Sequence, residues 1–461
     1  GLFSRMCLRV SAGGIGIHRA NEICPAAYTA SWNSYLKSQN FDLQMENLGK
    51  KDFAELIPRL EQLRRVTKTF KLPIETPPVA ENSSSVEDPV QEMASFIKRL
   101  RAINVLRKPE DRDSLQNILT YNLQDQRVKS MQEDLEEKQC FEQLRWWNGL
   151  RNREAGAWLE ALPKTSFLTM SSSVFRSALR YRYRIKFPFI RDGTRCTCRV
   201  QHKTLKQAGT CHPLVDQYGL HVSTGCGKEG RRQQLHNALV LELNHLIRYA
   251  GGNTIREERD CFGAHLPDDH HRPDISILNP AGCDLEGKKV LIDVAVTCPL
   301  DGAQIGIIKK PTRTEARKSH SNNLNSTYKY KENKYRKLLE DCERAANSGR
   351  TVTLQQDNQP SEDTARDVFN PKDFVVYPII FESTGAIHPE SSKFIDSILE
   401  KAAESNRSHP DQLIGYFMKK LSVCLQTHLA NTIHARVIGL MGNRDAQYGK
   451  LFPEEVIAEE K

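Results

Sequence analysis

The sequence predicts a mixed α/β core whose elements run α-β-β-β-α-β, set between helical flanks. Three observations predict it. A helix, three strands, a helix and a fourth strand follow one another between residues 231 and 382. A Cys- and His-rich stretch with little periodicity, residues 196–226, comes just before them. The first 190 residues read as polar and helical. Element order alone suits several unrelated α/β folds, so function must be argued from particular residues.

In the N-terminal region "AENSSSVEDP" (80–89) is a linker by composition, and "DLEEKQCFEQLRWWNGLRNREAGAWLEALP" (134–163) carries apolar residues at helical spacing until Pro163 stops it. "SVFRSALRYRYRI" (173–185) reads as a short basic helix. The core opens with "RRQQLHNALVLELNHLIRYAGG" (231–252), where Leu235, Ala238, Leu239, Leu243, Leu246 and Ile247 form an apolar stripe and Gly251 a stop. "TIREE" (254–258), "DISIL" (274–278) and "KKVLIDVAVT" (288–297) are strands, the last two separated by a turn-rich segment. A helix over 330–346, a polar insertion at 353–373 and a buried strand "FVVYPIIFE" (374–382) follow, and helices make up the rest, notably 411–433. There is no internal repeat.

The 461 residues leave room for two or three domains. The chain begins at Gly1 inside what reads as structured sequence, so it is expected to be the C-terminal piece of something longer. It shows no secretory signal and no apolar run of the roughly 18 residues that a membrane span needs. Twelve scattered cysteines make no disulfide framework and favour a reducing compartment. The net charge of +9 is a weak pointer to a polyanionic partner. Its distribution says more, with ten Lys or Arg against two Glu between Lys309 and Lys337. Lys309, Lys310, Arg313, Arg317, Lys318 and Lys329 are candidates to track a phosphate backbone, and Arg176, Arg180, Arg182 and Arg184 would extend that surface.

Two aspartates carry the chemistry. Side chains alternate faces along a strand, so Val290, Ile292, Val294 and Val296 share one face, and Leu291, Asp293, Ala295 and Thr297 the other. Asp293 is then a lone charge in an apolar strand, and Asp274 opens the preceding strand after Pro273. Two close carboxylates repel unless a proton or a cation lies between them. A hard divalent ion such as Mg²⁺ or Mn²⁺ suits oxygen donors, and can activate water against a phosphodiester. The bland alternative has Asp274 capping a turn and Asp293 paired with a Lys or Arg.

The Cys/His stretch contains Cys196, Cys198, Cys211, His212, His221 and Cys226. Thiolate and imidazole are ligands that Zn²⁺ prefers. Cys196, Cys198, His221 and Cys226 supply one tetrahedral set, with Cys211 or His212 able to replace a cysteine. The bland alternative is reduced thiols in a loop. Yet about 30 residues with few core-forming side chains need something to hold them.

Pro-Asp on one strand and an acid on the next, within this element order, resembles the PD-(D/E)XK restriction-like nuclease superfamily. More narrowly, the chain is similar to the C-terminal endonuclease region of non-LTR retrotransposon polyproteins from about Ala157 to about Arg436. The landmarks are "AWLEALP", the Cys/His cluster, "LHNAL", "RPDISI", "IDVAVT", "KENKY", "FVVYPIIFESTG" and "KKLSVCLQ". "GGIGIHRANEICPAAYTASW" resembles the stretch after a reverse transcriptase domain, which would then lie upstream.

The resemblance implies a PD-(D/E)XK core over 231–405, a zinc element over 191–230, helical segments at 1–80 and 93–190 joined by a linker at 81–92, and a C-terminal helical segment at 406–461. It implies a nuclear DNA endonuclease, a hydrolase that nicks target DNA to prime reverse transcription, with DNA as partner and the element's RNA as a second. Asp274 and Asp293 would bind Mg²⁺. The superfamily's Lys two residues after the second acid is Ala295 here, so Lys331 or Lys334, one turn apart on the following helix, would substitute. "LHN" stands where relatives show Arg-His-Asn, leaving His236 and Asn237 to orient DNA or water. Glu258, Glu242 and Glu382 are candidates to complete the metal site. The alternative functions are a catalytically inactive nucleic-acid-binding module with the same fold and structural zinc, and an interaction protein whose aspartates sit in ion pairs.

Overall fold

The computed structural model describes residues 6, 8–15, 115–187, 190, 194, 196, 215–226, 231–257, 272–278, 287–300, 310–348 and 370–441. Cys198, Cys211, His212, Glu258, Lys309, the linker at 80–89 and most of the insertion at 353–373 lie outside them. The chain divides into two compact units, Gly1–Asp134 and Leu135–Lys461.

In the first unit a short 3₁₀ turn, Val10–Ala12, precedes the long helix α1 (Leu115–Glu137), whose last turn belongs to the second unit. Arg9 links the two elements, its guanidinium 2.8 Å from Asp125 and its backbone N–H donating to Gln124.

The second unit begins with a correction. The periodic run at 134–163 is not one helix. It breaks at Gln139, whose φ of 52° is left-handed, and resumes as α2 (Phe141–Leu150) and a 3₁₀ helix, Arg153–Glu160. Apolar spacing survives the break because both pieces bury a face, Trp146 and Trp147 in one and Trp158 in the other. Helix α3 (Ser172–Tyr183) starts where the Ser171 hydroxyl accepts from the Val174 N–H, and ends at Arg184 in a left-handed conformation.

Helix α4 (Arg231–Tyr249) ends before Gly251, whose φ of 83° turns the chain into the sheet. Strands β1 (Asn253–Arg256), β2 (Ile275–Leu278), β3 (Lys289–Thr297) and β4 (Phe374–Glu382) lie in that spatial order. β1 pairs antiparallel with β2 and β2 with β3, whereas β3 and β4 run parallel. The crossover between β3 and β4 carries a short helix α5 (Arg313–Arg317), closed by a Thr312/Glu315 capping box, and the long helix α6 (Asn322–Asn347). Helix α6 begins eight residues before the sequence-read start at 330, because the Ser321 hydroxyl caps it by accepting from the Leu324 N–H at 3.0 Å. Helices α7 (Pro389–Ser405) and α8 (Pro410–Met441) complete the unit.

The two faces of β3 divide as their alternation predicts. Val290, Ile292 and Val294 enter the main core with Leu239, Leu243, Leu246 and the α8 residues Leu421, Leu425 and Leu429. Leu291 packs on the other side with Tyr335, Leu338, Leu339 and Cys342 of α6. The sheet is thus sandwiched between helices, with Asp293 on the α6 side.

Candidate functional site

Ile275 of β2 pairs with Ile292 of β3. Continued by one residue, that register sets Asp274 opposite Asp293, where antiparallel side chains lie about 5 Å apart at Cβ. The hydrogen bonds agree. The Asp274 N–H donates to the Ile292 carbonyl at 2.9 Å, and its Oδ2 accepts from the Val294 N–H at 2.6 Å, so its bonds bracket Asp293.

Each acid has a cationic partner from a different helix. His236, in the second turn of α4, places Nε2 3.1 Å from Asp274 Oδ2. Its other ring nitrogen lies 3.2 Å from Asn237 Oδ1, which accepts from Gln233 at 2.7 Å. Lys331 donates from Nζ to Asp293 Oδ1 at 2.7 Å. The two carboxyls also lie within hydrogen-bonding reach of each other, as two acids sharing one proton do.

These partners push the two carboxyls apart in acidity. Burial alone would raise Asp274, but the hydrogen bond and charge of His236, the Val294 N–H and a hydrogen bond with Asp293 outweigh it and hold its pKa low. Burial raises Asp293, and the Asp274 charge adds to that. Lys331 and Lys334 pull it back without reversing it. His236 is held above its ordinary value: burial lowers it, but the Asp274 hydrogen bond and charge prevail. An acid pair pushed in opposite directions is a common feature of sites that bind metal or move protons.

Other candidates stand elsewhere. Lys334 leans over the Tyr335 ring at 5.1 Å, near enough to act on Asp293. Glu242 is paired with Lys420 of α8 at 2.7 Å and has His245 at 3.9 Å. Glu382 pairs in register with Thr297, four residues beyond Asp293 and about 13 Å along the strand. It is fully buried, with Oε2 accepting from the Thr384 hydroxyl at 2.6 Å and Arg145 nearby. A Cβ at Gly149 would fall 2.7 Å from that oxygen, so only glycine lets α2 pack so close. Arg145 donates to the carbonyls of Lys318 and Ser319. The ring of Tyr328 stacks on His388 at 3.9 Å, and burial, with His320 adding to it, pushes His388 down to about 4. Glu382 therefore belongs to a separate polar cluster that holds the start of α6.

Several of the cations expected to track phosphate have partners within the protein. Arg313 and Arg317 both reach Glu136, at 2.7 and 2.6 Å, and their hydrogen bonds pull its carboxyl down to about 2. Lys318 donates to Asn322 at 3.0 Å. Lys310 and Lys329 are exposed. On α3, Arg182 is buried and donates to the Ala155 carbonyl at 2.7 Å, while Arg184 lies over the Tyr218 ring. These two arginines fasten the fold instead of lining a surface. Arg176 is exposed, and Arg180 donates to the Lys186 carbonyl.

The Cys/His stretch forms a second candidate centre. The ligand atoms of Cys196, His221 and Cys226 all lie within 4.8 Å of one another, and all three residues are buried. The two sulfurs are 3.5 Å apart. This group could hold a metal ion such as zinc, whose tetrahedral shell accepts two thiolates and an imidazole and needs one more ligand. Asp216, which the sequence reading passed over, positions His221. Its carboxylate accepts from the N–H groups of Tyr218, Leu220 and His221 at 3.0, 3.0 and 2.8 Å. The signal was available as an Asp three residues before Gly219, a turn pattern. The turn packs on α8, where Gly219, at a φ of 76°, lies against Ile433.

No protein-family model matches the chain, and no curated protein matches it. Among the described residues, no helix is long and apolar enough to cross a membrane.

Proposed function

We propose that this chain is a metal-dependent DNA endonuclease with a PD-(D/E)XK-like core and a structural zinc element, belonging to a retroelement polyprotein. The observation that supports the reading best is the facing pair Asp274 and Asp293, close enough to share a proton or a cation, with His236 of α4 on one and Lys331 of α6 on the other.

Carboxylate oxygens are hard donors, which fit Mg²⁺ or Mn²⁺ better than a soft ion, and a cation between the pair would replace the proton they share. A cation so held would supply a more acidic water and stabilise charge on the phosphoryl oxygens. The rest is the protein's own work. His236 and the Val294 N–H keep Asp274 ionised. Lys331 neutralises Asp293 and stands beside the reacting phosphate in the position that Ala295 leaves without an ammonium. The exposed Lys310 and Lys329 extend positive charge along the approach.

The deciding experiment incubates supercoiled plasmid with the chain and Mg²⁺ or Mn²⁺, beside Asp293→Asn. Nicking by the parent with at least about a hundredfold loss in the variant is expected for a residue that holds a catalytic metal. Equal nicking by both would overturn the reading. Metal-independent DNA binding without nicking would favour a binding module.

A further inference from the structure

Helix α6 carries a feature that the cutting chemistry does not use. Its buried stripe is Leu324, Tyr335, Leu338, Leu339 and Cys342. Beside that stripe, at i, i+4 and i+7, run Tyr330, Lys334 and Lys337. Tyr330 is 66% exposed, more than any other large hydrophobic side chain among the described residues. Lys331, next to it in sequence, holds Asp293. Lys334 acts on the same carboxyl, and Lys337 is exposed. The first acid on this stripe is Asp341, which is paired with Arg344. An open aromatic ring thus stands on the same turn of α6 as Lys331, which reaches Asp293, with Lys334 one turn further on.

We propose that Tyr330 is a stacking platform for an unpaired nucleobase next to the phosphate held at Asp274 and Asp293, with Lys334 and Lys337 on the flanking phosphates. The inference rests on the nuclease reading and deepens it by naming the substrate. In intact duplex both faces of each base are covered by neighbours. A ring beside the scissile phosphate is useful only where a base is single-stranded or extruded. Stacking is indifferent to base identity, so the preference is for strand state and not for sequence. The charge argues for a polynucleotide over an apolar protein partner, because the neighbours of Tyr330 on its face of the helix from 333 to 337 are Asn333, Lys334 and Lys337, with no acid among them.

The test measures binding, without metal and at fixed salt, of a labelled single-stranded oligonucleotide and of the matching blunt duplex. Parent, Tyr330→Ala and Tyr330→Phe are compared. A stacked base is worth about 1–3 kcal/mol, so Tyr330→Ala should bind the single strand about tenfold more weakly. Duplex binding should change by less than about twofold, and Tyr330→Phe should match the parent. Unchanged single-strand binding, or equal losses on both substrates, would overturn the platform. Plasmid nicking by the same proteins keeps the two ideas apart. If the parent nicks and Asp293→Asn does not, the nuclease reading stands whatever Tyr330→Ala does. If no nucleic acid is bound at all, both fail.

Discussion

Lys331 of α6 and Asp293 of β3 meet at 2.7 Å, although 38 residues separate them in the chain. The ammonium reaches the carboxylate from the neighbouring helix, while the position two residues along the strand is Ala295. Asp293 is 6% exposed, so removing its partner strands a charge in a poorly solvated place. Lys331→Ala should lower stability by about 1–3 kcal/mol in urea unfolding and reduce nicking more than Lys334→Ala does. Repeating the substitution in an Asp293→Asn background should abolish most of the stability cost. A full cost in that background would mean Lys331 stabilises α6 through other contacts.

The His236–Asp274 pair gives a pH signature. Asp274 is depressed from 3.8, so its contribution to stability is present above that value and lost as pH falls through the folded-state pKa. His236 is raised from 6.5, so its contribution is present below that value and lost as pH rises through the folded-state pKa. The pair therefore stabilises most between 3.8 and 6.5. Urea midpoints measured from acid to alkaline pH should show this window in the parent. His236→Gln should flatten it, and an identical profile would deny the pair any role.

Metal content checks the second centre. The purified chain should carry one zinc, and Cys196→Ser, His221→Ala or Cys226→Ser should each lose it and lower the melting temperature. Cys198→Ser should behave like these three if Cys198 is the fourth ligand, and Cys211→Ser should not. Zinc retained by Cys226→Ser would remove Cys226 from the shell.

Salt dependence of DNA binding, if the proposed function holds, should separate the arginines paired with Glu136 from the exposed lysines. Each phosphate contact contributes about 0.9 to the slope of log affinity against log salt. Lys329→Ala should reduce that slope by about one contact. Arg317→Ala should leave it unchanged, because its guanidinium is committed to Glu136. Since Glu136 is pulled down to about 2, that commitment persists as pH falls until close to that value. A slope that falls for Arg317→Ala would show that the arginine exchanges Glu136 for phosphate.

Much of this was legible along the chain. The strand "FVVYPIIFE" has the bounds its apolar run suggests, and β3 divides its faces as a period of two requires. The break at Gln139 was hidden, because apolar spacing continues through a left-handed residue that no local pattern marks. Lys331 and Lys334 could not be ranked from spacing, since both lie one turn apart on the same helix and only its seat on the sheet selects one. The burial of Arg182 was equally invisible, for its sequence neighbours suggest an exposed basic face.

Periodicity by itself determined the order of the core elements and the alternation that isolates Asp293, because these depend on contacts a few residues apart. Tertiary structure alone decided which partner each charge takes. His236 goes to Asp274, Lys331 to Asp293, Arg313 and Arg317 to Glu136, and Glu382 falls outside the pair. The physical reason is that Coulomb attraction and desolvation depend on distance and burial in three dimensions, and a charged residue's place in the chain specifies neither.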